Sequence, residues 1–161
     1  MTDIIIPLMP PDAEAFSPFG RFVVPPDASD TRQFYSNSLE TSPDDTTPVL
    51  HVNHVLPRTL PMTVEKIERH PHAAQCFFPL DVSRYAVMVT PSNETGAPDL
   101  DRALAFLLPG TMGVIFNPGV WHLGATVIDR AGHFVVLMWR GGQLPDDDFQ
   151  SIRPITLTAL T

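Results

Sequence analysis

Cysteine and basic side chains are both scarce in this chain. Cys76 is the only cysteine among 161 residues, so an internal disulfide is excluded and we expect a reducing compartment, the cytoplasm. The 10 lysines and arginines stand against 18 aspartates and glutamates, which gives a net charge of −8. A chain this acidic is not expected to bind nucleic acid or an anionic membrane. An anionic ligand would therefore need a local arginine, lysine or metal ion.

The sequence also lacks long apolar runs. The N-terminal segment MTDIIIPLMPPDAEAF has a short run that Pro7 interrupts, and it lacks the basic segment of a signal peptide. No other run approaches the length that spans a bilayer. The 18 prolines occur too often for long helices. With 43% hydrophobic residues, the chain is expected to form a single domain over residues 1–161 with a sizeable core.

Short apolar runs between turn signals predict an all-β sandwich or barrel. The segments that predict strands are 48–56, 62–70, 84–90, 102–108, 113–118 and 132–139. Proline and aspartate at its start predict one short helix over residues 12–16. Residues 25–47 are polar and rich in proline, and we interpret them as a long loop or lid. The acidic segment LPDDDFQ, residues 144–150, is interpreted as a solvated turn.

Two groups of polar residues are candidates for chemistry. Residues two apart on a strand face the same side, which groups four side chains if the strand continues through Pro71: Lys66, Glu68, His70 and His72. Proline there predicts an edge position or the end of the strand. The second group is NPGVWHLG, in which a Pro-Gly turn precedes His122. A His-x-His pair alone is a weak indication of a metal site, and a row of polar residues is also typical of a solvent-exposed face.

Taken together, the two groups resemble the two histidine motifs of the cupin superfamily. The resemblance implies an antiparallel β-barrel of the jelly-roll type, and it aligns four residues with the metal-ligand positions: His70, His72, Gln75 and His122. Gln75 stands where cupins usually have a glutamate, and it follows the histidine pair more closely than that glutamate does. Neutral ligands hold a cation weakly because they leave its charge uncompensated. They suit an anionic substrate that completes the coordination shell of the metal. The sequence leaves open whether a divalent ion, such as nickel, manganese or zinc, binds there.

A closer resemblance covers nearly the whole chain. The segments LPMTVEKIERHPHAAQCFFPL, GVWH, RGG and AFSPFG resemble the ureidoglycolate lyase family, in which the pattern E-R-H-P-x-x-x-Q-x-F-x-P recurs. This resemblance implies a cupin-type β-barrel, a homodimer and a small anionic substrate. The activity that it implies is the cleavage of ureidoglycolate to glyoxylate and urea during allantoin breakdown.

The implied reaction suggests roles for individual side chains. One carbon of ureidoglycolate bears a hydroxyl, a carboxylate and the urea nitrogen, so elimination needs a base at the hydroxyl and an acid at the departing nitrogen. Glu68 or His122 is predicted to be the base, and Lys66 is a weaker candidate for the acid. Substrate contacts are predicted for three residues: Arg140, Asn117 and Trp121. Arg140 is the predicted carboxylate clamp because a guanidinium offers a two-pronged donor; a structural ion pair is the competing interpretation.

The sequence departs from the family pattern at several polar positions. Leu123 stands where relatives commonly carry a second histidine after V-W-H. Trp139 replaces the acid of a D-R-G motif, and His54 stands where an arginine is frequent. Two alternatives to the family's activity therefore stay open. One is an enzyme for a different small hydroxy- or keto-acid, and the other is a non-catalytic cupin that binds a small anion.

Overall fold

The computed structural model describes residues 4–39 and 46–161 of the chain. Strands predominate there, and the α-helix α1 covers Ala13–Phe16. The strands are β1 (Ile4–Pro7), β2 (Gly20–Val23), β3 (Thr47–Val55), β4 (Met62–Arg69), β5 (Gln75–Pro79), β6 (Arg84–Thr90), β7 (Leu104–Pro109), β8 (Gly113–Phe116), β9 (Trp121–His122), β10 (Thr126–Ile128), β11 (Gly132–Arg140) and β12 (Asp148–Thr158). Two 3₁₀ helices lie at Ser36–Ser38 and Leu100–Arg102. Within the described ranges, no helix is long and apolar enough to cross a membrane.

The strands form two sheets that pack against each other. The larger sheet has the order β1-β12-β4-β9-β6-β10 with β7 also paired to β6, and the smaller has the order β2-β8-β5-β11-β3. The parallel pair of β1 with β12 departs from the predicted antiparallel arrangement. Just after β1, Met9 exchanges backbone hydrogen bonds with Ala105 and Leu107 of β7, so the larger sheet curls back on itself. The predicted all-β, cupin-type fold is confirmed.

Aromatic side chains fill the space between the two sheets. Phe16, which α1 carries inward, stacks on Phe22 with ring centroids 4.3 Å apart and meets the edge of Phe106 at 5.8 Å. Such tilted and offset aromatic pairs stabilise a core beyond the area that they bury. A second apolar cluster, which includes Ile67 and Trp121, lies on the other face of the larger sheet. The larger sheet is therefore buried on both faces.

Each of the six predicted strands is present, with ends shifted by no more than two residues, and α1 lies within the predicted helix. The prediction of a solvated turn at residues 144–150 is wrong at its C-terminal end, because Asp148 already begins β12. No residue of the segment is buried, as predicted. Asp146 accepts a hydrogen bond from the backbone N–H of His72, and the other two aspartates form ion pairs with arginines. The segment lacks the periodic apolar pattern that would have predicted a strand.

The predicted loop at residues 25–47 contains one regular element in its described part, the 3₁₀ helix Ser36–Ser38, before β3 begins at Thr47. Residues 40–45 of that segment lie outside the described residues. Tyr35 attaches the segment to the smaller sheet, since its hydroxyl accepts a hydrogen bond from the backbone N–H of Val24 at 3.0 Å. Its function as a lid stays a prediction.

Candidate active site

A cavity of about 650 Å³ is lined by residues of both sheets. Its polar lining includes Glu68 from β4, Gln75 from β5 and Arg140 from β11, with His70 just beyond the end of β4. Apolar side chains complete the wall: Phe77, Val136 and Met138. Sites that hold small ligands are typically lined mostly by apolar side chains with a few convergent polar groups, whereas polar and charged side chains make up a larger share of this lining. Such a lining suits a small ligand that is itself polar or charged.

The fold brings the two histidine motifs together at one side of this cavity. Glu68 of β4 and His122 of β9 are directly paired across neighbouring strands. The backbone N–H of Gly119 donates to the carbonyl oxygen of His70 at 2.7 Å. Gly119 has a φ of +78°, a conformation that side-chain-bearing residues rarely adopt, so the Pro-Gly turn that precedes His122 favours glycine here. Glu68, His70 and His122 each offer a possible ligand atom within 4.8 Å of the others.

His122 is held rigidly and is only 1% exposed. Its Nδ1 lies 2.9 Å from the carbonyl oxygen of Val120, and its ring stacks on Phe116 with centroids 4.0 Å apart. Because a carbonyl oxygen can only accept, Nδ1 carries the hydrogen. The other nitrogen, Nε2, lies 2.8 Å from Oε1 of Gln75 and 3.5 Å from Oε1 of Glu68, and both of these atoms are acceptors. In this arrangement Nε2 therefore donates to Gln75, and a bound cation would take the place of that hydrogen.

His70 is also held through its Nδ1. Its Nδ1 lies 2.6 Å from the backbone carbonyl oxygen of Asp146, so Nδ1 carries the hydrogen. Its Nε2 is buried and has no hydrogen-bond partner among the described residues, and the side chain is only 4% exposed. Buried polar atoms are rarely left without a partner, so an unpartnered lone pair beside a carboxylate and a second histidine fits a bound cation or ligand.

Electrostatics set the charge of the cluster. Burial raises the pKa of Glu68, but the hydrogen bond and charge of His122, with the charges of His70 and Arg140, together hold that pKa below its ordinary value. Burial and the charge of His122 lower the pKa of His70, and together they exceed the opposing effects of Asp146 and Glu68. At neutral pH the cavity therefore contains an ionised carboxylate beside a neutral imidazole, a suitable pair for proton abstraction and for metal binding.

Arg140 lies at the end of β11, where its side chain lines the cavity. Its Nη2 is 2.9 Å from Oδ1 of Asp147, while its Nη1 is buried and without a hydrogen-bond partner in the described part of the chain. A free donor on a guanidinium is suited to a carboxylate oxygen of a ligand. The geometry is compatible with the predicted role of Arg140 as a carboxylate clamp.

The structure places His72 and Lys66 apart from the cluster. β4 ends at Arg69, so the two-residue periodicity does not reach His72, which instead lines a neighbouring cavity of about 600 Å³. The backbone N–H of His72 donates to Oδ1 of Asp146 at 2.7 Å. The ammonium of Lys66 lies 4.6 Å from the ring centroid of Phe149, which itself lines the cavity. Lys66 therefore lies outside the rim of the cavity.

Trp121 and Asn117 also lie away from the cluster. Adjacent residues on a strand face opposite sides, so Trp121 projects away from His122 into the second apolar cluster. Its ring packs under the guanidinium of Arg69 at 4.3 Å, and its Nε1 donates to the carbonyl oxygen of Gly96 at 3.2 Å. The backbone of Asn117 supports the turn before His122, since its carbonyl oxygen accepts from the N–H of Val120. These contacts are structural, and substrate contacts for both residues stay a prediction.

Sequence reasoning missed three polar residues at the cavity: His51, Asn53 and Asp147. The alternation along β3 placed His51 and Asn53 on one face, but alternation cannot tell which face is inward when both faces contain apolar residues. The apolar residues on the other face of β3 point to solvent, since Leu50 is 69% and Val52 is 57% exposed. Asp147 reaches the cavity through its ion pair with Arg140, which no local pattern could have indicated.

Two of the family departures, Leu123 and Trp139, lie outside the cavity, whereas His54 is among the residues that line it. Leu123 packs with the second apolar cluster, and Trp139 packs with a third cluster on the outer face of the smaller sheet. The ring of His54 is exposed and stacks on His133 at 4.6 Å. None of these three side chains belongs to the cluster of Glu68, His70 and His122.

Comparisons with known proteins agree with these features. The family model described as ureidoglycolate lyase matches residues 3–155. A ureidoglycolate lyase of Burkholderia cepacia is 37% identical over 144 residues, which cover 84% of this chain and 79% of that protein. A putative ureidoglycolate lyase of Agrobacterium fabrum is 31% identical over 136 residues, which cover 83% of this chain and 82% of that protein. On the family match and these identities, the chain belongs to the ureidoglycolate lyase family.

Proposed function

We propose that this protein is a lyase that cleaves ureidoglycolate to glyoxylate and urea. Membership of the ureidoglycolate lyase family supports ureidoglycolate as the substrate. The observation that carries the proposal is the convergence of three unsatisfied or charged groups in one cavity: the Glu68 carboxylate, the free Nε2 of His70 and the free Nη1 of Arg140. The Glu68 carboxylate can accept the hydroxyl proton of the substrate, and Nη1 of Arg140 can donate to its carboxylate.

Binding begins with the carboxylate of the substrate. Nη1 of Arg140 donates to one of its oxygens, which orients the reacting carbon toward Glu68. Phe77 and Met138 line the same cavity and would form an apolar part of the wall beside the bound substrate. Next to apolar groups, charged hydrogen bonds are stronger than in bulk water.

Glu68 then moves the proton that the reaction requires. Its carboxylate removes the proton from the hydroxyl oxygen, and the electron pair left there forms the carbonyl of glyoxylate. The bond between carbon and nitrogen breaks, and its electron pair stays on the nitrogen. The protonated Glu68 returns its proton to that nitrogen, which completes urea and restores the enzyme. This route needs no separate acid, which agrees with the position of Lys66 outside the rim of the cavity.

The residues present also fit a divalent metal ion. Nε2 of His70 and Nε2 of His122, with one oxygen of Glu68, would hold it, while Gln75 lies within hydrogen-bond distance of His122. Both Nδ1 atoms donate to backbone carbonyl oxygens, an arrangement that fixes the tautomer of metal-binding histidines. When bound, such an ion acidifies a hydroxyl group and fixes its orientation. We propose nickel, manganese or zinc as the candidates, because imidazole suits nickel and zinc, and carboxylate suits manganese.

The two histidines of the HPH motif offer a matched test of the metal site. His70→Ala is expected to weaken metal binding by at least about tenfold, because loss of a ligand costs no less than loss of its supporting hydrogen bond. His72→Ala should leave binding unchanged, since His72 lies outside the cluster. Titration calorimetry with Ni²⁺ and Mn²⁺ on protein without a histidine tag measures both affinities. A larger loss of metal affinity in His72→Ala than in His70→Ala would contradict this ligand set.

The activity itself is tested by the release of glyoxylate from ureidoglycolate, with and without added Ni²⁺ or Mn²⁺. We expect turnover in at least one of these conditions. Allantoate, which carries two ureido groups and no hydroxyl, is the control substrate and should release no glyoxylate. Absence of turnover of ureidoglycolate in every condition would refute the proposal.

A homodimer in the cytoplasm that acts in allantoin breakdown is the setting that we propose from the family. The outer face of β3 exposes apolar side chains, and exposed apolar groups of this size are typical of contact surfaces. Sedimentation equilibrium distinguishes a dimer from a monomer.

A further inference from the structure

The inner face of β3 carries polar side chains that take no part in the proposed elimination. Among them, His51 and Asn53 line the cavity, and both are half-buried. No hydrogen bond joins the side-chain amide of Asn53 to another of the described residues. A carboxamide offers two N–H donors and an acceptor oxygen. This side chain is therefore equipped to bind a polar, uncharged group of a ligand.

The pairing of β3 with β11 gives the spacing of these groups along the cavity. His51 is paired with Val136, which lies four residues before Arg140 on β11. Asn53 is paired with Phe134, which lies six residues before Arg140. At about 3.3 Å per residue, the level of His51 is roughly 13 Å from the Cα atom of Arg140 along the strand, and that of Asn53 is roughly 20 Å from it. The guanidinium and the amide therefore lie toward different ends of the cavity.

The predicted base acts at an intermediate level. Val136 pairs with His51 on one side and with Phe77 of β5 on the other, so these three residues form one row across the smaller sheet. The ring centroid of Phe77 lies 6.3 Å from that of His122, and Nε2 of His122 lies 3.5 Å from Oε1 of Glu68. Glu68 therefore faces the cavity near the level of this row, and the reacting carbon of a bound substrate lies there as well.

The dimensions of ureidoglycolate agree with this spacing. The side chain of Arg140, a hydrogen bond of about 2.9 Å and the substrate carboxylate together span most of the distance to the level of Glu68. From the reacting carbon, the terminal amino group of the ureido group is about 4 Å away at ordinary bond lengths. One more hydrogen bond of about 2.9 Å extends this to roughly 7 Å, the separation of two residues along a strand. The ureido group of a substrate held by Arg140 thus reaches the level of Asn53.

We propose that Asn53 recognises the ureido group and is the residue that determines specificity for it. Its side-chain oxygen accepts from the terminal amino group, and its amide nitrogen donates to the ureido carbonyl oxygen, so the two groups pair through two parallel hydrogen bonds. The inference rests on the proposed function, since it assumes that ureidoglycolate binds with its carboxylate at Arg140. It goes further by assigning the ureido group to one side chain. Asn53 is not part of the histidine cluster, so the assignment holds with or without a cation there.

Three small acids separate recognition of the ureido group from binding of the carboxylate. Hydantoate is ureidoglycolate without the hydroxyl group, so it cannot undergo the elimination. N-acetylglycine has a methyl group in place of the terminal amino group of hydantoate, and glycolate lacks the ureido group altogether. A site that hydrogen-bonds an N–H group rejects an analogue without it, because the polar group of the protein is left unpaired. Titration calorimetry of each acid, with and without added Ni²⁺, measures affinity without requiring turnover.

We expect the wild type to bind hydantoate about tenfold more tightly than N-acetylglycine, and Asn53→Leu to reduce this preference to less than about twofold. Leucine has nearly the same shape as asparagine but neither donor nor acceptor. The affinity for glycolate should change by less than about twofold, since glycolate has no group that reaches Asn53. Asn37→Leu is the matched control, because Asn37 is exposed and lines neither of the two cavities beside the histidine cluster. It should bind all three acids as the wild type does.

The outcomes distinguish the inference from the function beneath it. An Asn53→Leu protein that keeps the preference for hydantoate would overturn the role of Asn53 and leave the lyase proposal intact. A wild type that cleaves ureidoglycolate without preferring hydantoate would do the same. Wild-type protein that binds none of the three acids and does not cleave ureidoglycolate would overturn both proposals. Circular dichroism checks that the variant is folded, and Asn53→Ala, which removes the same amide with a smaller side chain, is held to the same result.

Discussion

Glu68→Gln is expected to lower kcat for glyoxylate release by about a thousandfold, because general base catalysis contributes roughly 10²–10⁴ to a rate. The amide has nearly the same shape as the carboxylate, so it should preserve the packing of β4 and the neighbouring histidine. It cannot remove the hydroxyl proton, however. The wild-type carboxylate is ready for that step at neutral pH because His122, His70 and Arg140 hold its pKa below the ordinary value against the effect of burial. Steady-state kinetics of glyoxylate release measure the loss.

The matched control for Glu68→Gln is Glu65→Gln. Glu65 lies on the same strand and is exposed, so the same chemical change there should leave kcat unchanged. A Glu68→Gln enzyme that keeps more than about a tenth of wild-type kcat would contradict the role of Glu68 as the base, since so small a loss is below the range for general bases.

Arg140→Ala is expected to raise KM for ureidoglycolate by about a hundredfold, since a hydrogen bond to a charged group is worth roughly 1.5–3 kcal/mol and each 1.4 kcal/mol is tenfold. The variant loses the buried Nη1 donor, which has no partner among the described residues. It also leaves Asp147 without its guanidinium partner, and the unpaired carboxylate would repel the substrate. Because Arg140 does not contact the hydroxyl or the leaving nitrogen in the proposed pose, kcat should fall much less than the KM rises.

Arg153→Ala provides the comparison for Arg140→Ala. Arg153 lies on β12, is 41% exposed and, within the part of the chain that the structure describes, forms one long ion pair of 3.7 Å with Asp101. Exposed ion pairs contribute little, so the variant should match the wild type in both KM and kcat. If Arg140→Ala lowered kcat and left KM unchanged, Arg140 would act in the chemical step and not in carboxylate binding.

Much of the fold could be predicted from local pattern, and the exceptions share a physical cause. The six predicted strands are long enough for alternation or an apolar run to be visible. β9 has two residues and β10 has three, which is too few for any periodicity to appear. β12 carries Pro154 and a register shift between Ser151 and Ile155, so its apolar residues do not alternate regularly. Such strands are specified by their neighbours in the sheet.

The candidate site could be predicted where a motif was local and not where it depended on pairing between distant strands. His70, Gln75 and His122 come together as the resemblance implied, and Glu68, the predicted base, lies beside them. His72 does not join them, because the chain turns at Pro71 before the alternation reaches it. The ion pair of Asp147 with Arg140 depends on how residues 141–147 fold back on the end of β11, which follows from tertiary structure alone.

The account is tested most directly by the products that the purified protein forms from ureidoglycolate. Elimination through Glu68 conserves the ureido group, so it predicts glyoxylate and urea in equal amounts and no ammonia. Enzymatic determination of glyoxylate, urea and ammonia in one reaction mixture measures all three. Ammonia in place of urea would mean that the ureido group is hydrolysed, and together with an absence of glyoxylate it is the result that would contradict a lyase.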